Sequence, residues 1–300
     1  MVTIPSPIQK LNDPLFDEKG LEVYVKRDDL IHPVIMGNKW RKLKYNLLNA
    51  KSAGHKTILT MGGAFSNHIL ASAAAASENG FRSIGIIRGD ELTKESNPTL
   101  ISAAHYGMEL VFVSRSEYRK IREDIQQFDG FRDDVYFLPE GGTNSLAVNG
   151  CAELIEEIDI NFDYICTPFG TGGTMAGILK GLNGQKNVLG FPVLKGAFVN
   201  ESFQDLLNRM NLPFNNYQLL NHYHFGGYGK VKDSLVDFIN KFKEHHDLLL
   251  DPIYTGKMFF GVIDLVKQGL FKENIKIILL HTGGIQGIEG YNLRNRNKIL

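Results

Sequence analysis

The sequence has little cysteine, no excess charge and no long apolar run, and each absence excludes a class of protein. Cys151 and Cys166 are its only cysteines, too few for a disulfide framework and typical of a reducing compartment. The 33 Lys and Arg residues balance the 33 Asp and Glu residues, which argues against nucleic acid or an anionic membrane as the main partner. No stretch reaches the roughly 18 apolar residues of a membrane span, and residues 1–7 show no signal-peptide pattern. We therefore expect a cytoplasmic protein with neither a nucleic-acid nor a membrane partner.

Motifs for metal binding and for serine hydrolysis are also missing. Nine histidines are present, but neither His222 and His224 nor the pair His245 and His246 has carboxylates at ligand spacing. The sequence contains no HExxH motif, no paired CxxC motifs and no Gly-x-Ser-x-Gly elbow. We expect no metal site and no serine nucleophile.

Strand-length apolar runs alternate with helical patterns along nearly all of the 300 residues. This alternation is typical of parallel sheets covered by helices on both faces. No linker rich in proline or serine divides the chain, so we expect the chain to cross between two lobes. The predicted strands cover residues 57–61, 83–87, 110–113, 135–138, 164–167, 188–193 and 275–280. The predicted helices cover residues 66–79, 98–106, 117–127, 145–158, 174–182, 202–210, 231–245 and 256–268.

Glycine is in excess, at 31 of 300 residues, and it clusters where predicted strands end. Gly62 and Gly63 come shortly before Ser66, a good N-cap for the next helix. The loop Gly170–Thr174 opens another helix, and its backbone N–H groups at the positive end of the helix dipole can bind phosphate. It is neither a Walker loop nor a dinucleotide fingerprint. Each of these loops, taken alone, also fits an ordinary tight turn.

A cluster of cations begins a further predicted helix, with Lys39, Arg41, Lys42 and Lys44 inside six residues. Cations are unfavourable at the positive end of a helix dipole unless an anion binds there. One interpretation is a solvated basic face. The other is a buried amine able to form a Schiff base, with neighbours that hold a phosphate. Together with the glycine loops, the cluster points to a phosphate-bearing cofactor that can form an imine.

Five segments, in this order, resemble the pyridoxal-phosphate family of D-cysteine desulfhydrases and 1-aminocyclopropane-1-carboxylate (ACC) deaminases. They are Tyr24–Asp29, Gly37–Leu43, Ser66–His68, Asp251–Lys257 and His281–Gly284. The resemblance begins at about residue 5 and continues to the C-terminus.

The resemblance implies an α/β protein with the tryptophan synthase β-like fold (fold type II), made of two three-layer α/β/α lobes. The implied large lobe is residues 1–45 plus 148–300, and the small lobe, residues 46–147, is inserted into it. The family also implies a homodimer that acts on a small amino acid with pyridoxal 5'-phosphate as its cofactor.

The resemblance assigns the cofactor to residues of the motifs above. Lys39 would form an imine with it and later move a proton, and Asn67 would bind its ring hydroxyl. Lys42 would hold the phosphate together with the backbone of the glycine loop, which consists of Gly170, Thr171, Gly172, Gly173 and Thr174.

The substrate would lie beside the same residues. Ser66, Asn67 and His68 would receive its carboxylate at a helix N-terminus, and Tyr228 and Tyr254 would flank it. The implied catalytic residues are Lys39, Ser66, Tyr228 and Tyr254.

Two positions distinguish the branches of this family. Members of the deaminase branch carry Glu after the Tyr of the DPxY motif and Leu before the last Gly pair, whereas this chain has Thr255 and Thr282. A carboxylate beside the pyridine nitrogen keeps it protonated and makes the ring a stronger electron sink than a hydroxyl does. D-Cysteine has an abstractable α-proton and a thiolate leaving group, whereas ACC has no α-proton. With both threonines beside the cofactor, we expect β-elimination from D-cysteine to pyruvate, sulfide and ammonia.

Several alternatives stay open. The chain could be an ACC deaminase that forms 2-oxobutyrate and ammonia, or it could racemise or deaminate D-serine or a similar amino acid. A non-catalytic nucleotide- or phosphate-binding module is a further interpretation, in which Lys39 has no need of an imine. Phe65 stands where many relatives carry glutamine, which predicts a more apolar pocket on that side.

Overall fold

The computed structural model describes residues 2–300, which form two sheets and their surrounding helices. The strands are β1 (Ile8–Leu11), β2 (Glu22–Lys26), β3 (Thr57–Gly63), β4 (Arg82–Arg88), β5 (Met108–Val113), β6 (Val135–Leu138), β7 (Tyr164–Phe169), β8 (Asn187–Pro192), β9 (Tyr217–Leu219) and β10 (Lys276–Leu280). The helices are α1 (Pro14–Glu18), α2 (Asn38–Ser52), α3 (Asn67–Glu78), α4 (Pro98–His105), α5 (Arg115–Glu123), α6 (Ser145–Ala152), α7 (Gly173–Leu182), α8 (Phe198–Arg209), α9 (Asp233–His246), α10 (Thr255–Lys267) and α11 (Gly287–Arg294).

The two sheets come from different parts of the chain. One has six strands in the order β1-β2-β10-β7-β8-β9, and the other has four in the order β5-β4-β3-β6. Neighbouring strands are parallel except for β1 and β2, which are antiparallel. The strand order and the predominance of parallel pairs confirm the predicted α/β class.

Each sheet forms the middle layer of three. In β10, Ile277 and Leu279 pack with side chains of α9 and α10, whereas Ile278 and Leu280 pack on the opposite face with α7 and α8. All four side chains are fully buried. Burial of each aliphatic side chain stabilises the fold by about 1.5–3 kcal/mol. A strand buried on both faces is continuously apolar, which is why the run at 277–280 predicted a strand.

The chain passes between the sheets through α2 and α6, which pack closely against each other. A side chain at Gly150 of α6 would overlap the carbonyl oxygen of Arg41 in α2. The lobe boundaries expected at 45/46 and 147/148 fall inside these two helices, and they stay a prediction.

Every predicted strand and helix is present, although their ends differ by a few residues and one helix is much shorter than predicted. The helix expected over 145–158 ends at Ala152. Beyond it the chain turns, and Glu157 accepts hydrogen bonds from Arg41 and from the backbone N–H of Ser6. Without Glu157 at this place the buried guanidinium would lose one of its two carboxylate partners, which is costly.

Candidate active site

A cavity of about 540 Å³ lies at the carboxyl ends of strands from both sheets. Gly63 and Arg88 end β3 and β4 at one wall, and Phe169 ends β7 at the other. Open α/β sheets bind ligands at such strand ends. Most of the predicted site residues line this cavity, namely Lys39, Lys42, Ser66, Asn67, His68, Gly170, Thr171, Gly172, Thr174, Tyr228, Tyr254 and Thr282. Gly173 and Thr255 do not line it.

Lys39 reaches the cavity from the first turn of α2. The N-cap of this helix is Gly37, which has a φ of 56°, and a side chain there would overlap the carbonyl oxygen of Thr282. Only glycine therefore allows α2 to begin against the turn that follows β10. The Lys39 ammonium has no hydrogen-bond or ion-pair partner within residues 2–300. Burial, and secondarily the charge of Lys42, lower the pKa of Lys39 to about 7, so near neutral pH a large fraction is the nucleophilic free amine.

Lys42 holds together three segments of the cavity wall. Its Nζ donates to the carbonyl oxygen of Gly141 at 3.0 Å, to Thr143 Oγ1 at 3.2 Å and to Thr171 Oγ1 at 3.4 Å. Gly141 lines the cavity and Thr143 supports it by accepting from Lys42, and the sequence analysis missed both. Their signal was a glycine pair shortly after β6, the same pattern that marked the other loops.

The N-terminus of α7 forms the floor of this region. Gly172 is left-handed, with a φ of 83°, and no side chain caps the helix. A Cβ placed at Gly173 would lie 2.8 Å from Thr143 Oγ1 and 3.2 Å from Lys42 Nζ, so the loop encloses a space that any side chain would fill. Asn38 fixes the next residue by donating from Nδ2 to Thr174 Oγ1 at 2.9 Å. Free helical N–H groups beside a buried lysine and hydroxyls fit a phosphate group.

Ser66 and Asn67 form the opposite side of the cavity. Ser66 is the N-cap of α3, as predicted, and its Oγ accepts from the Ile69 N–H at 3.4 Å. The side-chain amide of Asn67 lines the cavity and has no protein partner in the part of the chain that the structure describes. An amide with free donors and acceptor can bind a ligand hydroxyl.

The His68 imidazole is turned toward the four-stranded sheet. Its Nε2 lies 2.8 Å from Thr60 Oγ1, which itself donates to the Leu138 carbonyl at 2.9 Å, so Nε2 carries the hydrogen and donates to Thr60. Burial and the charges of Lys39 and Lys42 hold the pKa of His68 well below its usual value. His68 is therefore a neutral ring, and it offers a ligand its backbone N–H rather than a positive charge.

Tyr228 and Tyr254 form an edge-to-face pair with ring centroids 6.3 Å apart. Tyr254 precedes α10 and lies against Gly170, where a Cβ would be 3.3 Å from its Cε1. Burial raises the pKa of Tyr254 well above its usual value, so its hydroxyl keeps its proton near neutral pH. Tyr228 is 47% exposed and stands at the mouth of the cavity.

The two threonines that distinguish the family branches lie in different settings. Thr282 lines the cavity directly. Thr255 is fully buried, its Oγ1 donates to Asp251 Oδ2 at 2.7 Å, and it accepts from the Asp251 N–H at 2.9 Å. The Thr255 hydroxyl is thus hydrogen-bonded within the turn that precedes α10.

The apolar wall predicted at Phe65 is wrong, because Phe65 does not line the cavity. The Arg294 guanidinium stacks over its ring at 3.8 Å, and Gly290 of α11 leaves room for the ring. Stacking on an arginine and packing on a helix hold this aromatic side chain outside the pocket.

Arg88 and Glu140 also line the cavity, and the sequence held no signal for either. Arg88 lies over the Tyr118 ring at 5.6 Å, and the Tyr118 hydroxyl donates to Glu140 at 2.9 Å. Glu140 is the one carboxylate among the lining residues within 2–300.

Residues 2–300 contain neither a membrane-spanning helix nor a cluster of metal ligands. None of the helices is both long and apolar enough to cross a membrane. No group of three or more His, Cys, Asp and Glu side chains in the described chain is arranged to hold a metal ion.

Comparisons with known proteins match nearly the whole chain. A family model described as pyridoxal-phosphate dependent enzyme matches residues 2–283. "Putative 1-aminocyclopropane-1-carboxylate deaminase" of Pyrococcus abyssi is 33% identical over 305 residues, covering 95% of this chain and 91% of the relative. The mitochondrial bifunctional D-cysteine desulfhydrase/1-aminocyclopropane-1-carboxylate deaminase of Arabidopsis thaliana is 30% identical over 311 residues, covering 95% of this chain and 77% of the relative. A crystal structure of an ACC deaminase homologue superposes with a TM-score of 0.82 at 31% identity, covering 97% of this chain and 92% of that chain.

Proposed function

The chain belongs to the pyridoxal-phosphate dependent enzyme family, and on that basis we propose that it is a lyase of small amino acids whose substrate is D-cysteine. The products are pyruvate, sulfide and ammonia. The observation that carries the proposal is the unpaired amine of Lys39, with its pKa lowered to about 7, facing a cavity that Lys42 and the N-terminus of α7 also line. A plain phosphate-binding module has no use for such an amine.

The cavity residues fit pyridoxal 5'-phosphate, the cofactor of this family. The backbone from Gly170 to Thr174, with Lys42, would hold the phosphate. The free amide of Asn67 would bind the ring hydroxyl, and Lys39 would bind the aldehyde carbon. When bound, the cofactor supplies a carbonyl that condenses with amines and a ring that takes up electron density from the neighbouring carbon.

The protein's own residues provide binding and proton transfer. Ser66 and the first N–H groups of α3 receive the substrate carboxylate at the positive end of a helix. Lys39 Nζ takes the proton from Cα, the Cβ–S bond breaks with its electron pair on sulfur, and Tyr254, still protonated, can donate to the departing sulfur. The remaining enamine hydrolyses to pyruvate and ammonia.

The choice of D-cysteine rests on the character of the cavity wall. Thr282 offers a hydroxyl, and the carboxylate of Glu140 is bound by Tyr118. A cavity with so little negative charge near the cofactor favours a weaker electron sink. Elimination of a thiolate from a carbon that bears an α-proton needs less of the sink than ring opening of ACC does.

ACC deamination is the second candidate function. The names of the relatives favour it as strongly as they favour D-cysteine desulfhydration. The Pyrococcus relative carries this name, and the Arabidopsis relative carries both names. The Thr255 hydroxyl is hydrogen-bonded to Asp251. The presence of threonine at position 255 therefore does not by itself decide between the two substrates. The homodimer and the cytoplasmic location stay predictions.

The deciding experiment offers D-cysteine and ACC separately to the purified protein and measures keto-acid release. Pyruvate from D-cysteine without 2-oxobutyrate from ACC supports the proposal, and 2-oxobutyrate alone replaces it with the second candidate. In Lys39→Ala we expect loss of the absorption band of the lysine-bound cofactor and a fall in turnover of about 10²-fold or more. Undiminished turnover in Lys39→Ala would contradict the assignment of Lys39.

A further inference from the structure

The segment 224–229 presents Tyr228 at the mouth of the cavity in a backbone conformation that needs support. Phe225, Gly226, Gly227 and Gly229 all have positive φ, at 53°, 103°, 117° and 70°. Glycines also lose more conformational freedom than other residues when they are ordered. A loop of this kind has little intrinsic preference for one position, so its contacts decide where Tyr228 lies.

Besides the packing of the Phe225 ring against Phe260, this loop is joined to the core by Lys257 of α10. Its side chain is fully buried, and its Nζ donates to the carbonyl oxygens of His224 and Gly227, each at 3.0 Å. Within residues 2–300 no carboxylate lies at ion-pair distance from it. Burial lowers the pKa of Lys257 to about 8, while the charge of Asp251 acts the other way, so the amine remains largely protonated at neutral pH.

The same helix positions the other tyrosine of the pair. Tyr254 is the N-cap of α10 and lies three positions before Lys257. One end of α10 therefore sets the Tyr254 ring directly and holds the Tyr228 loop through two main-chain carbonyls. The centroid distance of 6.3 Å between the rings depends on both.

We propose that Lys257 is a positioning residue, which fixes Tyr228 against Tyr254 by binding the carbonyl oxygens of His224 and Gly227 and so determines how well the substrate is held. Only the kinetic test of this proposal rests on the proposed function. A buried charge is costly unless its hydrogen bonds are satisfied, and these carbonyls satisfy it in the loop that carries a substrate-flanking side chain.

The first test measures backbone amide hydrogen exchange in the purified protein without added cofactor. In Lys257→Met, which keeps the length of the side chain and removes its donors, we expect faster exchange within residues 224–230 and unchanged exchange along α10. Lys267→Met, an exposed change at the far end of the same helix, is the matched control and leaves both regions unchanged. Unchanged exchange in the loop, or faster exchange throughout α10, overturns the proposal.

The second test is a double-mutant cycle with Tyr228→Ala, followed by KM and kcat in the reconstituted enzyme. Lys257→Met should raise KM for the accepted substrate about tenfold or more while the absorption band of the bound cofactor stays unchanged, since misplacement of a positioning group by about 1 Å can cost up to 10²-fold. In the Tyr228→Ala background the same change should have almost no further effect. Effects that multiply independently overturn the proposal.

Two safeguards keep the outcome readable. If Lys257→Met does not fold, Lys257→Gln, whose shorter side chain reaches the carbonyls poorly, goes through the same cycle with the same expectations. If the wild-type protein turns over neither D-cysteine nor ACC, the proposed function fails, yet the exchange measurement still decides whether Lys257 holds the loop.

Discussion

Within one turn, helix α2 carries cations in two contrasting surroundings, one without carboxylates and one with them. Lys39 and Lys42 face the cavity, where their neighbours are hydroxyls, carbonyls and each other. Arg41, between them in sequence, points the other way into a buried ion-pair network. One face of this turn therefore lines the cavity, and the other belongs to the ion-pair network.

The network around Arg41 is fully paired. Its Nε lies 2.6 Å from Asp28 Oδ2, and its Nη1 lies 2.7 Å from Glu157 Oε1. Lys26 adds a second cation at 2.9 Å from Glu157. Although burial acts in the opposite direction, Arg41 and Lys26 lower the pKa of Glu157 to about 2, so the carboxylate stays charged.

The difference shows what makes a basic cluster functional. A buried cation that faces the cavity without a carboxylate partner is available to a ligand, whereas a buried cation with two carboxylates is part of the scaffold. Arg41 thus anchors the turn that aims Lys39 and Lys42. Three changes on α2 test this division.

The largest effect is expected for Arg41→Met. Removing the guanidinium leaves Asp28 buried without its cation, which destabilises proteins by about 3–5 kcal/mol. Urea unfolding of the cofactor-free protein measures this loss. A loss below about 1 kcal/mol would mean that Arg41 does not differ from a surface cation.

Lys42→Met should change reactivity at the cavity. Because the positive charge of Lys42 contributes to the lowered pKa of Lys39, its removal raises that pKa toward the ordinary lysine value, and less free amine is present at pH 7. The rate of imine formation with pyridoxal, which has no phosphate, should fall about two- to tenfold at pH 7 and recover at higher pH.

The wild-type protein, with Lys39 at a pKa of about 7, should show a pH–rate midpoint near neutrality for the same reaction. Lys44→Met serves as the control, because that side chain is bound by Glu153 outside the cavity. An unshifted midpoint in Lys42→Met would contradict the coupling between the two lysines.

The smallest effect is expected for Lys44→Ala. Its Nζ lies 2.6 Å from Glu153 Oε2, but the side chains of Lys44 and Glu153 are 31% and 26% exposed. Partly exposed pairs of this kind contribute up to about 1 kcal/mol. If the thermal unfolding midpoint fell further in Lys44→Ala than in Arg41→Met, the comparison between the two faces of α2 would be reversed.

The fold was predictable where apolar runs have clear limits. The strand at 135–138 has the same bounds in the structure, because apolar residues there are followed at once by Pro139. Helix α11 was missed, since Gly287 and Gly290 lie within it and disfavour a helix. It forms because Ile288 and Tyr291 pack into the core.

The site was predictable as a set of loops and only in part as side chains. The α7 loop and the cation cluster at 39–44 could be identified from glycines and local charge, whereas the choice of Lys39 within that cluster came from the family resemblance. The partners of Arg41 lie 13 and 116 residues away in sequence, so nothing local separates that arginine from its lysine neighbours. Phe65 likewise turns toward Arg294, a residue of the last helix. Orientation depends on packing between distant segments, which no short pattern contains.

The order of strands in the larger sheet also has a consequence in time. β10, the last strand in the chain, lies between β2 and β7 and joins them. During synthesis the strands from β3 to β6 leave the ribosome early enough to pair among themselves, whereas β2 has to wait for more than two hundred residues before its parallel neighbour exists. The helix of Lys39 begins against the turn after β10, so the surroundings of Lys39 are also incomplete until that turn has been synthesised. A nascent chain shorter than residue 282 therefore contains Lys39 but lacks the turn against which its helix begins.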